Sequence, residues 1–378
     1  MRVAVPLERK EGEKRVALVP DIISKLTRLG YEVVIESGAG DKSQGTDEAY
    51  TAAGASVVKG DVVASADIVL SVQPLTPAQM GTLKKGAATI SFLSTVTAVD
   101  SIEAAVKAGA TAFSLELVPR ISRAQSMDAL TSQALCAGYR AVLVGAEMSP
   151  RFFPLLMTAA GTVTPAQVLV LGAGVAGLQA IATARRLGAV VSAYDVRPSS
   201  ADEVKSMGAT FIELELESLE GAGGYAREMT EERAAKQREL LTPYIAKSHV
   251  VITTAAVPGR TAPRLMTQAM IDAMEPGTVI VDLAAETGGN VEGSKPGEVV
   301  VTSGGVRIWG GKDVPSQLPF HASSLYSRNV VNLLTLLTTP AKDGASVALN
   351  LDFSDEIINA AAVTHGGQRR DPSAGGAK

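Results

Sequence analysis

Val168-Leu169-Val170-Leu171 runs directly into Gly172-Ala173-Gly174-Val175-Ala176-Gly177, and a helical stretch follows to Leu187. Four aliphatic residues in a row read as a strand buried on both faces of a parallel sheet. In this pattern Gly172 permits the tight turn, Gly174 lets the backbone approach a pyrophosphate, and Gly177 allows close helix–strand contact. The diphosphate then lies on the N–H groups at the helix N-terminus, where the helix dipole favours an anion. Asp195, 18 residues past Gly177, ends the next strand-like run, placed to accept hydrogen bonds from an adenosine ribose. A carboxylate there repels a 2′-phosphate and favours NAD over NADP, whereas the nearby Arg197 is a residue type that accommodates that phosphate. The plainer alternative is a tight glycine turn with no ligand.

Outward from this run, strands and helices alternate. Strand-like segments fall at Arg2–Val5, Val33–Ile35, Ile68–Val72, Thr89–Phe92 and Thr111–Leu115, and a second series runs from Val168 to Thr302. Helical patterns such as Asp21–Leu29 and Ser101–Ala108 stop at Gly30 and Gly109, as expected of a C′ glycine. The order implies an α/β chain with parallel sheets and right-handed crossovers. Two stretches, from about Met127 to Glu147 and from about Ser323 to Leu337, are too long for crossovers within one sheet. They predict two Rossmann-like, doubly wound parallel-sheet domains, the second inserted into the first and joined by long connector helices. The expected division is 1–126 plus 316–364 for the first domain and 127–315 for the second, with a flexible tail over 365–378. A cleft between such domains is the usual place for a ligand.

Composition narrows the function. The 35 Lys+Arg against 39 Asp+Glu give a net charge of −4, which excludes a strong electrostatic claim on nucleic acid or anionic lipid. The single Cys136 excludes a disulfide framework and a thiolate metal cluster, and a reducing, cytoplasmic setting is expected. His249, His321 and His365 form no paired ligand spacing, so no metal is expected. Val330–Leu337, among the longest apolar stretches, is broken by Asn332 and Thr335 and falls far short of the ~20 residues of a spanning helix. No direct membrane span is expected. Gly38-Ala39-Gly40-Asp41-Lys42-Ser43 lacks the glycine immediately before Lys-Ser that a P-loop needs.

Arg120-Ile121-Ser122-Arg123-Ala124-Gln125-Ser126-Met127-Asp128, together with Gly172–Gly177, Asp282–Asn290 and Asp313-Val314-Pro315, resembles the NAD(H)-binding component of proton-translocating nicotinamide nucleotide transhydrogenases. The resemblance covers nearly the whole chain. The wider superfamily includes alanine dehydrogenase, which shares the Glu13-Lys14-Arg15-Val16-Ala17-Leu18-Val19-Pro20 opening. Oxidising an amino acid releases a proton along with hydride, so a dehydrogenase needs a general base and a cation for its substrate. Alanine dehydrogenases place Lys before Glu-Pro and His in the strand after it; here the segments read Val72-Gln73-Pro74 and Phe92-Leu93-Ser94. Hydride transfer between two nicotinamides needs neither group, only two C4 atoms held at roughly 3–3.5 Å.

The resemblance implies an enzyme subunit that passes hydride between NADH and NADP⁺ held on a partner, coupled to proton translocation. It implies a homodimer working with NADP(H)-binding and membrane-spanning subunits, peripheral at the inner membrane. Arg120, Asp128 and Thr131 would fix the nicotinamide carboxamide or its ribose, and Gln125 would bridge toward the partner's nucleotide. The family has Ser at the position of Thr131, so the hydroxyl survives. The plainer reading of Arg120 and Asp128 is a helix cap with a surface ion pair, against which the neighbouring Gln125-Ser126 counts. A mobile loop over about 217–240, hinged on glycines, would close over NAD(H) through Gly224, Tyr225 and Gln237; its charged second half also reads as a solvated helix. Val175 and Val257 complete the implied cofactor-binding set. The rival readings are a free-standing alanine-dehydrogenase-like oxidoreductase and a non-catalytic NAD-binding module.

Overall fold

A computed structural model describes residues 1–216, 230–256, 260–339 and 347–370. The chain divides into two compact units: Met1–Gln133 with the chain from Ser316 onward, and Ala134–Pro315. The division at Gln133 falls inside the helix Ala129–Met148 rather than at 126/127. A continuous helix has no break in composition to mark where one unit ends.

The first unit is built on strands β1 (Arg2–Val5), β2 (Glu32–Glu36), β3 (Ser56–Val58), β4 (Ile68–Leu70), β5 (Ala88–Ser91) and β6 (Thr111–Ser114). All pair in parallel, in the order β3-β2-β1-β4-β5-β6. Alternation along a strand sends neighbours to opposite faces. Val3 and Val5 accordingly pack with Ile23, Leu26 and Leu333 in one layer, while Ala4 packs with Ile102 and Ala105 in the other. The helix Pro319–Leu336 buries Ala322, Tyr326, Val330 and Leu333, a helical stripe of three- and four-residue steps. Strand β3, unread in the sequence, is short, lies at the sheet edge and is mostly exposed, so it carries little apolar pattern.

The expected flexible tail is corrected for residues 365–370. Thr364–His365 pairs with Gln368–Arg369 in a small antiparallel hairpin. It is tied to β6 by Thr364 Oγ1, which donates to Ala110 O at 2.9 Å and accepts from Ala112 N at 3.0 Å. The Arg370 guanidinium lies 3.8 Å from the Phe353 ring centre. These tertiary partners order a run whose polar, glycine-rich composition reads as tail.

The second unit opens with the remainder of the helix Ala129–Met148, followed by an exposed hairpin, β7 (Leu156–Thr158) and β8 (Gly161–Val163). Its sheet comprises β9 (Gln167–Leu171), β10 (Val190–Tyr194), β11 (Thr210–Phe211), β12 (Val250–Thr253), β13 (Val279–Asp282), β14 (Val299–Val301) and β15 (Arg307–Gly310). The order is β11-β10-β9-β12-β13-β15-β14. Val168 and Val170 of β9 enter one apolar layer, Leu169 and Leu171 the other. That is the doubly wound arrangement, with one departure: β14 runs antiparallel to β15 at the edge. The helix Glu231–Ala246 occupies the later part of the expected loop, capped by Thr230 Oγ1, which accepts from Arg233 N at 3.3 Å. Among the described residues no helix is long and apolar enough to cross a membrane, and no group of three or more His, Cys, Asp or Glu could hold a metal ion.

Candidate functional site

The three glycines after β9 are required for different reasons. Gly172 has φ +101°, and a Cβ on it would lie 2.6 Å from Thr254 Oγ1. That hydroxyl donates to Gly172 O at 2.9 Å. A Cβ on Gly177 would come 1.9 Å from Gly172 O. Both positions are thus demanded by the turn itself. Gly174 is not: a Cβ there would meet nothing within 4 Å. It caps the helix Val175–Arg186 without any side-chain cap bond, and Val175 stands exposed beside it. The first-turn N–H groups of that helix are therefore unclaimed by a capping side chain, the condition for receiving an anion. A pyrophosphate fits this turn, and packing within the chain does not demand glycine at position 174, where a Cβ would point into the space a ligand backbone contact needs.

Asp195 follows β10 and closes the same turn. Its Oδ2 accepts from Ala173 N at 2.7 Å and from an Arg197 guanidinium nitrogen at 3.0 Å. Its Oδ1 accepts from Arg197 N and from Arg197 Nε, both at 2.9 Å. A cavity of about 290 Å³ adjoins it, lined by Tyr194, Val196, Pro198, Phe211, Leu214 and Arg233 among others. Burial pushes the Tyr194 hydroxyl up to about 12. That hydroxyl donates to Oε1 of the buried Gln237 at 3.2 Å, tying the helix Glu231–Ala246 to the end of β10. Gly224, Tyr225 and Val257 lie outside the described residues.

Support beneath the turn comes from the Asp282–Asn290 run and from Gly138, residues to which sequence pattern alone assigns no role. Asp282, fully buried, accepts from Thr253 Oγ1 at 3.1 Å, from Ala284 N at 3.0 Å, and from Asn290 N and Val291 N at 3.3 Å each. Asn290, also buried, exchanges hydrogen bonds with Ala255 at 3.1 and 2.8 Å and reaches Pro263 O at 2.8 Å. The Asp282–Asn290 motif is thus a buried brace for the loops after β12 and β13. Gly138 lets the helix Ala129–Met148 touch the start of the dinucleotide helix, since a Cβ there would lie 2.1 Å from Ala176 O.

The other group of sequence-predicted residues belongs to the first unit. Arg120 and Gln125 are exposed, and the 3₁₀ turn Ser122–Met127 is anchored by buried Ala124 and Met127. Asp128 caps the helix Ala129–Met148: Oδ1 accepts from Thr131 N at 2.8 Å and Oδ2 from Thr131 Oγ1 at 2.6 Å. Arg123, in the same turn, forms an ion pair at the surface, reaching Asp355 at 2.6 and 3.1 Å. Asp128 and Thr131 are therefore brought together, and the Gly172–Gly177 turn with Asp195 and Arg197 forms a second set in the other unit.

A third cluster was visible only as an opening pattern. Arg15 makes a two-pronged bond to Glu13, Nε to Oε1 at 2.8 Å and a terminal nitrogen to Oε2 at 2.7 Å, and it donates to Gln133 Oε1 at 2.9 Å. Glu13 also accepts from Gln73 Nε2 at 2.7 Å and Ser316 Oγ at 2.8 Å. Both partners of the ion pair are buried. Burial raises the Glu13 carboxyl, but the Arg15 charge and hydrogen bonds overrule it and hold it at about 2. Glu8, beside them, accepts from Val72 N at 2.5 Å and is raised by burial to about 7. The cation is already matched inside the protein, and Gln73 is a neutral donor to Glu13.

Comparison with known proteins places these features. The family described as Alanine dehydrogenase/PNT, N-terminal domain, matches residues 4–137, and its C-terminal domain counterpart matches residues 141–372. The chain is 47% identical over 377 residues to the first part of NAD(P) transhydrogenase subunit alpha from Rhodospirillum rubrum, covering 97% of each. It is 42% identical to NAD(P) transhydrogenase subunit alpha of Haemophilus influenzae over 99% of this chain and 72% of that one. Alanine dehydrogenase of Mycobacterium tuberculosis is 34% identical over 78% of this chain and 76% of its own. Among solved structures, a transhydrogenase from Sinorhizobium meliloti superposes with a TM-score of 0.85 at 42% identity, covering 99% of this chain and all of that one. An L-alanine dehydrogenase gives 0.79 at 25% identity, covering 99% and 98%. The chain belongs to the alanine dehydrogenase/PNT family, alongside the NAD(P) transhydrogenase alpha subunits.

Proposed function

We propose that this chain is the NAD(H)-binding subunit of a proton-translocating NAD(P) transhydrogenase, with NADP(H) held by a partner subunit. NAD(H), when bound, supplies the hydride chemistry at its nicotinamide ring. The observation that carries the reading is the Glu13–Arg15–Gln73 cluster. The segments Val72-Gln73-Pro74 and Phe92-Leu93-Ser94 carry neither the lysine nor the histidine of alanine dehydrogenases, and Gln73 meets Glu13 as a neutral amide, so the substrate cation and general base those enzymes use are missing here. Nicotinamide-to-nicotinamide transfer needs neither.

The chain's own residues then bind and orient. The Gly172, Gly174, Val175 and Gly177 backbone takes the pyrophosphate, and Asp195 the adenosine ribose, with Arg197 beside it. Arg120, Asp128 and Thr131 hold the nicotinamide carboxamide or its ribose; the Asp128–Thr131 bonds support this by fixing both side chains in advance. Gln125, exposed, faces the partner's nucleotide. Gly224 and Tyr225 close over NAD(H), with Gln237 and Val257 completing the site. A second copy of the chain is supported by the apolar hairpin, where Leu155, Leu156, Met157 (78% exposed) and Val163 face outward. The dimer is read as peripheral at the inner face of the membrane, through membrane-spanning partner subunits.

Mixing the chain with an NADP(H)-binding partner, NADPH and an oxidised NAD analogue is expected to reduce the analogue. No reduction, in a mixture where the chain still binds NADH, would leave a non-catalytic NAD-binding module. Appreciable NADH formation from L-alanine and NAD⁺ by the chain alone would replace the reading with the dehydrogenase.

A further inference from the structure

A carboxylate offers about four acceptor positions, and on Asp195 all four are filled by the protein's own donors. Two come from the backbone, Ala173 N and Arg197 N, and are fixed by the turn. The other two are Nε and a terminal nitrogen of the Arg197 side chain, a two-pronged pair on one fork. The Asp195 side chain is 7% exposed and that of Arg197 20%, so the arginine is the partner more open to an incoming ligand. A ribose diol also presents two donors. It can reach Asp195 only by taking the place of the guanidinium.

We propose that Arg197 is a latch on the nucleotide site: its guanidinium holds the two diol positions of Asp195 until the 2′,3′-hydroxyls of an adenosine ribose displace it. This rests on the dinucleotide reading above and adds the determinant of its specificity. Exchange is donor for donor, so the carboxylate keeps its four bonds throughout. A 2′-phosphorylated ribose lacks one of the two hydroxyl donors and brings negative charge against Asp195, so it cannot make the same exchange. The latch lowers the apparent affinity for NADH by the fraction of molecules in which it is shut, and so favours nucleotide release after each turnover.

Calorimetric titration of the whole chain and of Arg197→Met with NADH, NADPH and reduced nicotinamide mononucleotide tests this. If the pair is formed in about nine molecules in ten, NADH binds roughly tenfold more tightly to the variant. The mononucleotide, which has no adenosine, binds both alike, and NADPH gains nothing because Asp195 has lost its neutralising partner. A merely structural arginine would weaken or leave alone all three ligands together. Arg197→Lys keeps the cation but not the fork, so it serves if the methionine variant does not fold, and it too is expected to bind NADH more tightly. NADH affinity unchanged or weakened in whichever variant folds would overturn the latch while leaving the dinucleotide site standing. No NADH binding by the unaltered chain would overturn both.

Discussion

Gly138→Ala is a single methyl group, distant in sequence from the glycine fingerprint, that should damage both stability and nucleotide binding. The added Cβ would lie 2.1 Å from Ala176 O, 2.8 Å from Ala176 C and 3.0 Å from Ala176 Cα. Close carbon–oxygen contacts sit at about 3.3 Å or more, so a gap of about 1 Å must open. Backbone faces backbone, and no rotamer change can open it. Overpacking of this kind costs about 1–3 kcal/mol, offset by the ~1 kcal/mol that alanine gains over glycine in a helix. The net loss is up to about 2 kcal/mol, which for a unit of this size lowers the melting temperature by up to roughly 8 °C. What yields is the first turn of the helix Val175–Arg186, the turn that presents the N–H groups after Gly174. Thermal unfolding and NADH calorimetry should therefore both report the change. Gly81→Ala is the control, because a Cβ there meets nothing within 4 Å. Gly138→Ala melting with the unaltered chain and binding NADH equally well would refute the reasoning.

Gly174→Ala separates ligand from fold: stability should stay within about 0.5 kcal/mol, while NADH affinity falls about tenfold or more as the methyl group fills the approach to the backbone. Retained affinity would remove Gly174 from the site. Glu8→Gln tests the buried carboxyl. A folded-state value raised to about 7 means that the stability Glu8 contributes is present below its ordinary value and lost as pH rises to 7 and beyond. That loss amounts to about 3 kcal/mol; Glu8→Gln should escape it, melting higher at pH 8 and converging with the unaltered chain near pH 5. Parallel melting-versus-pH curves would count against this. Glu13, held at about 2, works in the opposite sense, its stabilisation being lost only as pH falls toward 2. Glu13→Gln should cost about 3–5 kcal/mol in denaturant unfolding, because Arg15 is left buried without a counter-ion, and Glu13→Gln with Arg15→Met should recover most of it. An additive double variant would show that the pair is not coupled.

Local pattern carried much of this molecule. Residues 168–171 are aliphatic without interruption because both faces of β9 are covered, and that alone marks a parallel sheet. Less was legible where burial is one-sided or partners are remote. The β3 and β15 strands are short and partly exposed, so alternation was too weak to read. The order of Thr364–Arg370 depends on Thr111, Ala110 and Ala112, some 250 residues earlier in the chain.

The candidate site divides along the same line. By itself the sequence determined that a strand, a glycine turn, a helix and a following acid stand in dinucleotide order, and that lysine and histidine of a dehydrogenase are missing. These are identities and spacings, and they hold in any conformation. Only the tertiary structure decided which glycine is left for a ligand, because vacancy beside a Cα depends on what packs there: Thr254 and the Gly172 carbonyl crowd two positions and nothing crowds Gly174. It alone decided that Arg15 is matched by Glu13 and that Arg197 shares Asp195 with the backbone. Charges can be counted along a chain, but whether one is available for chemistry depends on which partner reaches it through space.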